Sequence, residues 1–298
     1  MSSSVITLED GRRLGISAAG DPTADRLVLF CHPSPGSSRF DPDPVLTGRW
    51  GVHLVSLDRP GYGASDPLPA GAPHRIADRA RELAGLIRGA EKDADRISNA
   101  DYTTLGVIGW GAGGLVAAAI AAAQPDRVDR LALVDVPSPR KAAKLARRAF
   151  IAPQTSAALH IAEDAPELTQ HVGLLNRVEH MVEDAFLQGR AGVEADRLLM
   201  ADDRWLPGLS GIRARTGLWV GEGNDTVGED DARWWVKHVP DASAHLVRGA
   251  SSLAIAAAWE RVLGFVAPEH GDLARKERDT GPVRIADVDP VHPEQAKE

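Results

Sequence analysis

The stretch Leu105-Gly106-Val107-Ile108-Gly109-Trp110-Gly111-Ala112-Gly113-Gly114-Leu115 constrains the chain more than any other. A short apolar run ends in a burst of glycines and passes at once into the alanine-rich run from Val116 to Ala123. This is the pattern of a buried strand turning sharply into a helix. Glycines in such a turn serve one of two purposes. In the arrangement G-x-S-x-G they let one strained residue project its side chain over the sheet. In G-x-G-x-x-G they let the backbone approach a pyrophosphate at the helix N-terminus. Both patterns fall on the same residues here. The first has Gly111 at its centre, where there is no side chain. The second reads Gly109-x-Gly111-x-x-Gly114, with Asp135 closing the next strand about twenty residues on, where an acid would meet a ribose.

Around this turn, apolar runs alternate with helical periods. Residues 5–20 read as an opening hairpin turning at Asp10-Gly11. Leu27-Val28-Leu29-Phe30-Cys31 is a strand buried on both faces, followed by a loop that its two prolines, Pro33 and Pro35, keep out of any ladder. Val52 to Leu57 is the next strand, a helix is predicted over residues 74–92, and Leu131 to Asp135 is the strand after the glycine turn. From Pro137 to about Leu206 the strand signal stops and the period becomes helical. The cluster Arg140, Lys141, Lys144, Arg147 and Arg148 there reads as a solvated helix face. Gly217 to Gly221 resumes the sheet, Ala232 to His238 is a helix, His245 to Val247 a last strand, and residues 253–266 a closing helix. The expected architecture is α/β: a mostly parallel, doubly covered sheet. Residues 1–137 and 206–270 form its core, 138–205 a helical insertion, and 271–298 a charged, proline-containing tail without periodicity.

Composition narrows the partners. The 298 residues are 43% hydrophobic, enough for a substantial core, and carry a net charge of −8 without a basic block. That argues against nucleic acid or an anionic membrane as partner. The one cysteine, Cys31, excludes an intrachain disulfide and a cysteine-cluster zinc site, and suits a reducing compartment. No leader-like N-terminus or bilayer-length apolar run is present, so a cytoplasmic protein is expected. No H-E-x-x-H or similar ligand spacing suggests a metal.

Several stretches together resemble one family. His32-Pro33-Ser34-Pro35-Gly36-Ser37 is similar to the H-G-x-P-G-S oxyanion loop of α/β-hydrolases, and Asp58-Arg59-Pro60-Gly61-Tyr62-Gly63-Ala64-Ser65 to their D-R-P-G-x-G-x-S turn. Gly109 to Gly114 resembles their nucleophile elbow, and residues 188–196 a segment near the end of the cap in small bacterial members. Gly221 to Val227 resembles the acid loop, and Gly249 to Leu253 the histidine loop. The resemblance implies the α/β-hydrolase fold with a helical cap over residues 138–205, and a site between core and cap. It also implies that the catalytic residues are replaced: Gly111 stands at the nucleophile, Asn224 at the acid and Ser252 at the base. Such a triad needs a nucleophile, a base bonded to it and an orienting carboxylate. The expectation is therefore a catalytically silent member, needing no cofactor, that holds a small molecule in a pocket lined by His32, Ser34, Trp110, Gly111, Ala112, Asp135 and Ser252. Losing three side chains at one point should enlarge that pocket. The alternatives are an atypical enzyme of this fold, drawing on Asp58, Asp135 or the histidines 160, 171 and 180, and a dinucleotide-binding protein.

Overall fold

The computed structural model describes residues 1–89 and 102–271. The expected tail, and the end of the helix predicted over residues 74–92, lie outside the described residues. Eight strands form one sheet: β1 (Ser2–Thr7), β2 (Arg13–Gly20), β3 (Leu27–Cys31), β4 (His53–Leu57), β5 (Leu105–Trp110), β6 (Val128–Val134), β7 (Arg215–Gly221) and β8 (Ala242–Val247). Their order is β1-β2-β4-β3-β5-β6-β7-β8. β1 and β2 pair antiparallel through the hairpin whose turn Gly11 makes at φ 84°, and all strands from β3 onward run parallel.

The helices are α1 (Pro44–Trp50), α2 (Ile76–Gly89), α3 (Gly113–Ala123), α4 (Pro139–Ile151), α5 (Pro166–Gln170), α6 (Leu174–Ala185), α7 (Ala191–Leu199), α8 (Glu229–His238), α9 (Ala254–Ala257) and α10 (Trp259–Val266). The continuous apolar strands are explained by two cores. Alternate residues of a strand point to opposite faces, so Leu27, Leu29 and Cys31 join α3 in one core while Val28 and Phe30 join α10 in the other. α3 lies deepest: residues Gly113 to Ala121 are all buried, which its lack of a polar face requires.

Two elements depart from the sequence expectation. α1 was not anticipated, although its signals are strong: Asp43 accepts from the Val45 and Leu46 amides at 3.0 Å, Pro44 opens the helix, and Gly51 ends it at φ 70°. The closing helix divides at Ala258 into α9 and α10. Between β6 and β7 every element is helical, as expected. On α4, Ala142, Ala146 and Ala149 are buried, while Arg140, Lys144, Arg147 and Arg148 face solvent and Lys141 pairs with Asp231.

Candidate active site at the C-terminal edge of the sheet

Parallel α/β sheets place their sites beyond the C-terminal ends of the strands. Here β5 ends in Gly111, held at φ 56°, and the amides of Gly114 and Leu115 close the turn onto Gly111 and Ala112 at 3.0 and 3.2 Å. The other glycines of the turn face protein, not space. A Cβ on Gly109 would lie 2.4 Å from the Gly114 Cα, and one on Gly113 2.2 Å from the His32 carbonyl oxygen. One on Gly114 would lie 2.2 Å from a Val136 methyl. These glycines let strand, helix and neighbouring loop close on each other. Gly111 is different: its absent Cβ would meet only Pro33, at 3.4 Å. The turn is thus shaped to project a side chain at position 111.

That point opens on a cavity of about 70 Å³ lined by Ser34, Trp110, Gly111, Ala112, Asp135, Asn224 and Ser252. Leu145, Ala146 and Ala149 of α4 and the segment from Ala158 to His160 close it from above. A Cβ at Gly111 would meet Pro33, and α4 lies over the same cavity. His32 does not line it. Its ring is fully buried, with Nδ1 2.9 Å from the Pro33 carbonyl oxygen and Nε2 accepting from the Arg59 amide at 3.2 Å. Burial and the adjacent Arg59 hold its pKa well below the usual histidine value. Burial likewise pushes the Cys31 thiol up to about 12, so it is inert.

Asp135 is the charged residue at the floor of the cavity. It ends β6 at φ 47° and accepts from the Gly221 amide at 3.0 Å and the Ala254 amide at 3.2 Å. Burial raises its pKa to about 7, against the hydrogen bonds from Gly221, the Asn224 side chain and Ala254, which lower it. A carboxyl whose folded pKa exceeds its unfolded value of ~3.9 binds its proton more tightly when native, so stability falls as pH rises between the two values. Asp135→Asn is expected to remove this group's share of the slope between pH 4 and 7, measured by urea denaturation. Asn224 does more than stand beside it. Its Oδ1 accepts from the Thr226 and Val227 amides at 2.9 and 3.0 Å, building the turn into α8. Asp58, by contrast, lies outside this cavity, its carboxylate accepting from the Ser38 and Ala64 amides. Of the histidines in the helical segment, His160 reaches the cavity wall, from an exposed position.

Four residues tie the site together: Arg59 and Tyr62 of the turn after β4, Asp196 of the 188–196 segment, and Glu167, which alone carries no signal in the sequence. Arg59, fully buried, forms a two-pronged ion pair with Asp196 of α7, Nε to Oδ1 at 3.0 Å and Nη2 to Oδ2 at 2.6 Å. The same guanidinium donates to the carbonyls of His32 and Pro33 at 2.6 and 2.8 Å. The Tyr62 hydroxyl donates to Asp196 at 2.8 Å and meets Ser34 Oγ at 3.1 Å. Glu167 of α5, also buried, accepts from the Ser251 amide and hydroxyl at 2.6 and 2.8 Å, beside Ser252. Around Arg59 the two motifs fit face to face: Gly192 packs on the Tyr62 ring, Gly61 on the Ala191–Gly192 peptide, and Gln188 donates to the Gly63 and Ser65 carbonyls.

No protein-family model and no curated protein matches the sequence. Solved structures match the fold over nearly its whole length. A carboxylesterase of the thaumarchaeon Nitrososphaera gargenis superposes with a TM-score of 0.65 at 14% identity, covering 92% of this chain and all of its own. The enol-lactonase of Burkholderia xenovorans LB400 gives 0.65 at 16% identity, covering 89% and 98%. The 2-hydroxy-6-oxo-6-phenylhexa-2,4-dienoate hydrolase of Rhodococcus sp. RHA1 gives 0.63 at 18%, covering 87% and 96%. Among the described residues no helix is long and apolar enough to cross a membrane, and no group of three metal-ligating side chains gathers. With the strand order, the turn at Gly111 and these superpositions in agreement, the chain has the α/β-hydrolase fold.

Proposed function

We propose that the protein is a catalytically silent member of this fold that holds a small amphipathic molecule between a core of residues 1–137 and 206–270 and a cap of residues 138–205. One observation carries the reading: the turn that would aim a nucleophile into the cavity is intact, and the residue in it is Gly111. Ser252 and Asn224 line the same cavity and neither is a base. The apolar roof from α4 suits a short hydrocarbon, and Ser34, Ser252 and Asn224 offer polar contacts below.

Short-chain p-nitrophenyl esters are expected to be cleaved no faster than by heat-denatured protein, and native mass spectrometry is expected to find a small co-purified molecule. A second reading, an atypical enzyme, draws on Asp135 and His160, which line the same cavity. Turnover abolished by Asp135→Asn or His160→Gln would favour it and sink the silent reading.

A further inference from the structure

The hairpin of β1 and β2 meets the end of α6 across a groove of about 210 Å³ that shares no lining residue with the cavity at Gly111. In the register of the two strands Ser3 stands opposite Ser17 and Val5 opposite Gly15, so these four positions share one face of the sheet. Gly15 has no side chain, and the Asp58 carboxylate occupies the space its Cβ would fill. Asp58 thus lies at the floor of the groove, accepting from the Ser38 amide at 2.6 Å and the Ala64 amide at 3.0 Å.

From Asp58 a row of hydroxyls leads outward. The Ser38 hydroxyl helps to hold the Asp58 charge, Ser17 Oγ lies 2.9 Å from Ser38 Oγ, and Ser3 Oγ lies 3.1 Å from Ser17 Oγ. A carboxylate only accepts, so the Ser38 proton points to Asp58, the Ser17 proton to Ser38 and the Ser3 proton to Ser17. Ser3, exposed at the outer end, is left with lone pairs alone to offer. Ser37, 1% exposed, also lines the groove, and its Oγ has no partner among the described residues.

Charge in the groove is unbalanced. Asp58 and Asp184 stand against Arg39 alone. The Arg39 side chain is 61% exposed and meets Asp184 at 3.4 Å, long for a charge-assisted bond. Burial raises the pKa of both carboxyls, and the Asp184 charge adds to the rise at Asp58. Beside them Val5 and Leu187 are 51% and 68% exposed, large apolar groups left facing water. The groove therefore lacks a positive charge, a hydrogen-bond donor and an apolar body.

We propose that this groove is a second binding site, which takes a primary ammonium carried on a short apolar chain. The ammonium donates to Asp184 and to the outer hydroxyl of the row, and the chain rests on Val5 and Leu187.

Calorimetric titration of the full chain with hexylammonium and with hexanol, at neutral pH and low salt, tests this. Hexylammonium is expected to bind about tenfold tighter than hexanol or more, the worth of one hydrogen bond to a charged group. Asp184→Asn should abolish most of that margin, and Leu187→Ser should weaken both ligands. Arg39→Gln, which frees Asp184 from its surface partner, should tighten hexylammonium about threefold. Arg39 is exposed, so this gain reads out even where Asp184→Asn fails to fold. Hexylammonium bound no tighter than hexanol overturns the proposal. So does binding that none of the three variants changes, which would place the ligand in the cavity at Gly111.

Discussion

The double variant Gly111→Ser, Ser252→His is expected to acquire measurable esterase activity, while each single variant stays at background. A serine at position 111 accepts the left-handed backbone at a cost of about 1–2 kcal/mol, and its Cβ meets only Pro33 at 3.4 Å. The Ser34 and Ala112 residues flank the point where an oxyanion would form. A hydroxyl without a base has nowhere to send its proton, and a base without a hydroxyl has nothing to activate. Residues of a triad act as a unit, so the gain should come in one step.

The third member is the informative one. Alignment of the loops points to Asn224→Asp as the missing acid, but the geometry points to Asp135. Its Oδ2 already touches the Ala254 amide, two residues beyond position 252, and Asn224 donates to it. Asn224→Asp would replace that donor with a second carboxylate beside one already raised to about 7 by burial. The triple variant is therefore expected to be less active than the double. Steady-state hydrolysis of p-nitrophenyl acetate, with melting temperature as a folding control, separates the outcomes. Activity in Gly111→Ser alone would mean that a base, His160 being nearest in kind, already serves the cavity. A triple variant faster than the double would return the acid's role to position 224.

How much of this was legible before the structure depends on the range of the interaction. The central strands β3, β4 and β5 were legible because each is apolar on both faces, and the turn at Gly111 because glycine alone serves so many close approaches in so few residues. The turn could not be assigned to one chemistry from its spacing. G-x-G-x-x-G and an elbow with glycine at its centre are the same letters, and it is the order and pairing of the strands around them that give the fold. His32 was misplaced for a similar reason: its loop borders the cavity, but its ring turns inward to the Arg59 amide. Glu167 was missed because one glutamate in a polar helical stretch looks like any solvated residue, and its partner Ser251 is far away in sequence.

The largest stability effect is expected at Asp196. Asp196→Ala leaves Arg59 as a buried guanidinium without its counter-charge and removes the acceptor of the Tyr62 hydroxyl. Breaking one side of a buried ion pair typically costs about 3–5 kcal/mol, and urea denaturation should show a loss of this size. Burial and the Asp196 carboxylate hold the Tyr62 phenol well above its ordinary pKa, so it remains a donor in need of an acceptor. Replacing a buried pair with apolar residues is often neutral elsewhere, but not here. Arg59 also satisfies the His32 carbonyl, which would be left bare, and the Tyr62 hydroxyl would lose its acceptor. Each unsatisfied buried group costs about 1–3 kcal/mol. The double variant Arg59→Met, Asp196→Leu should therefore remain destabilised by at least about 2 kcal/mol, though by less than the sum of the singles, since the two share one interaction. Asp196→Asn, which keeps an acceptor for Tyr62, should fall between wild type and Asp196→Ala. A loss below about 1 kcal/mol in Asp196→Ala would show that water replaces the carboxylate, and that this network does not hold α7 against the loop beneath it.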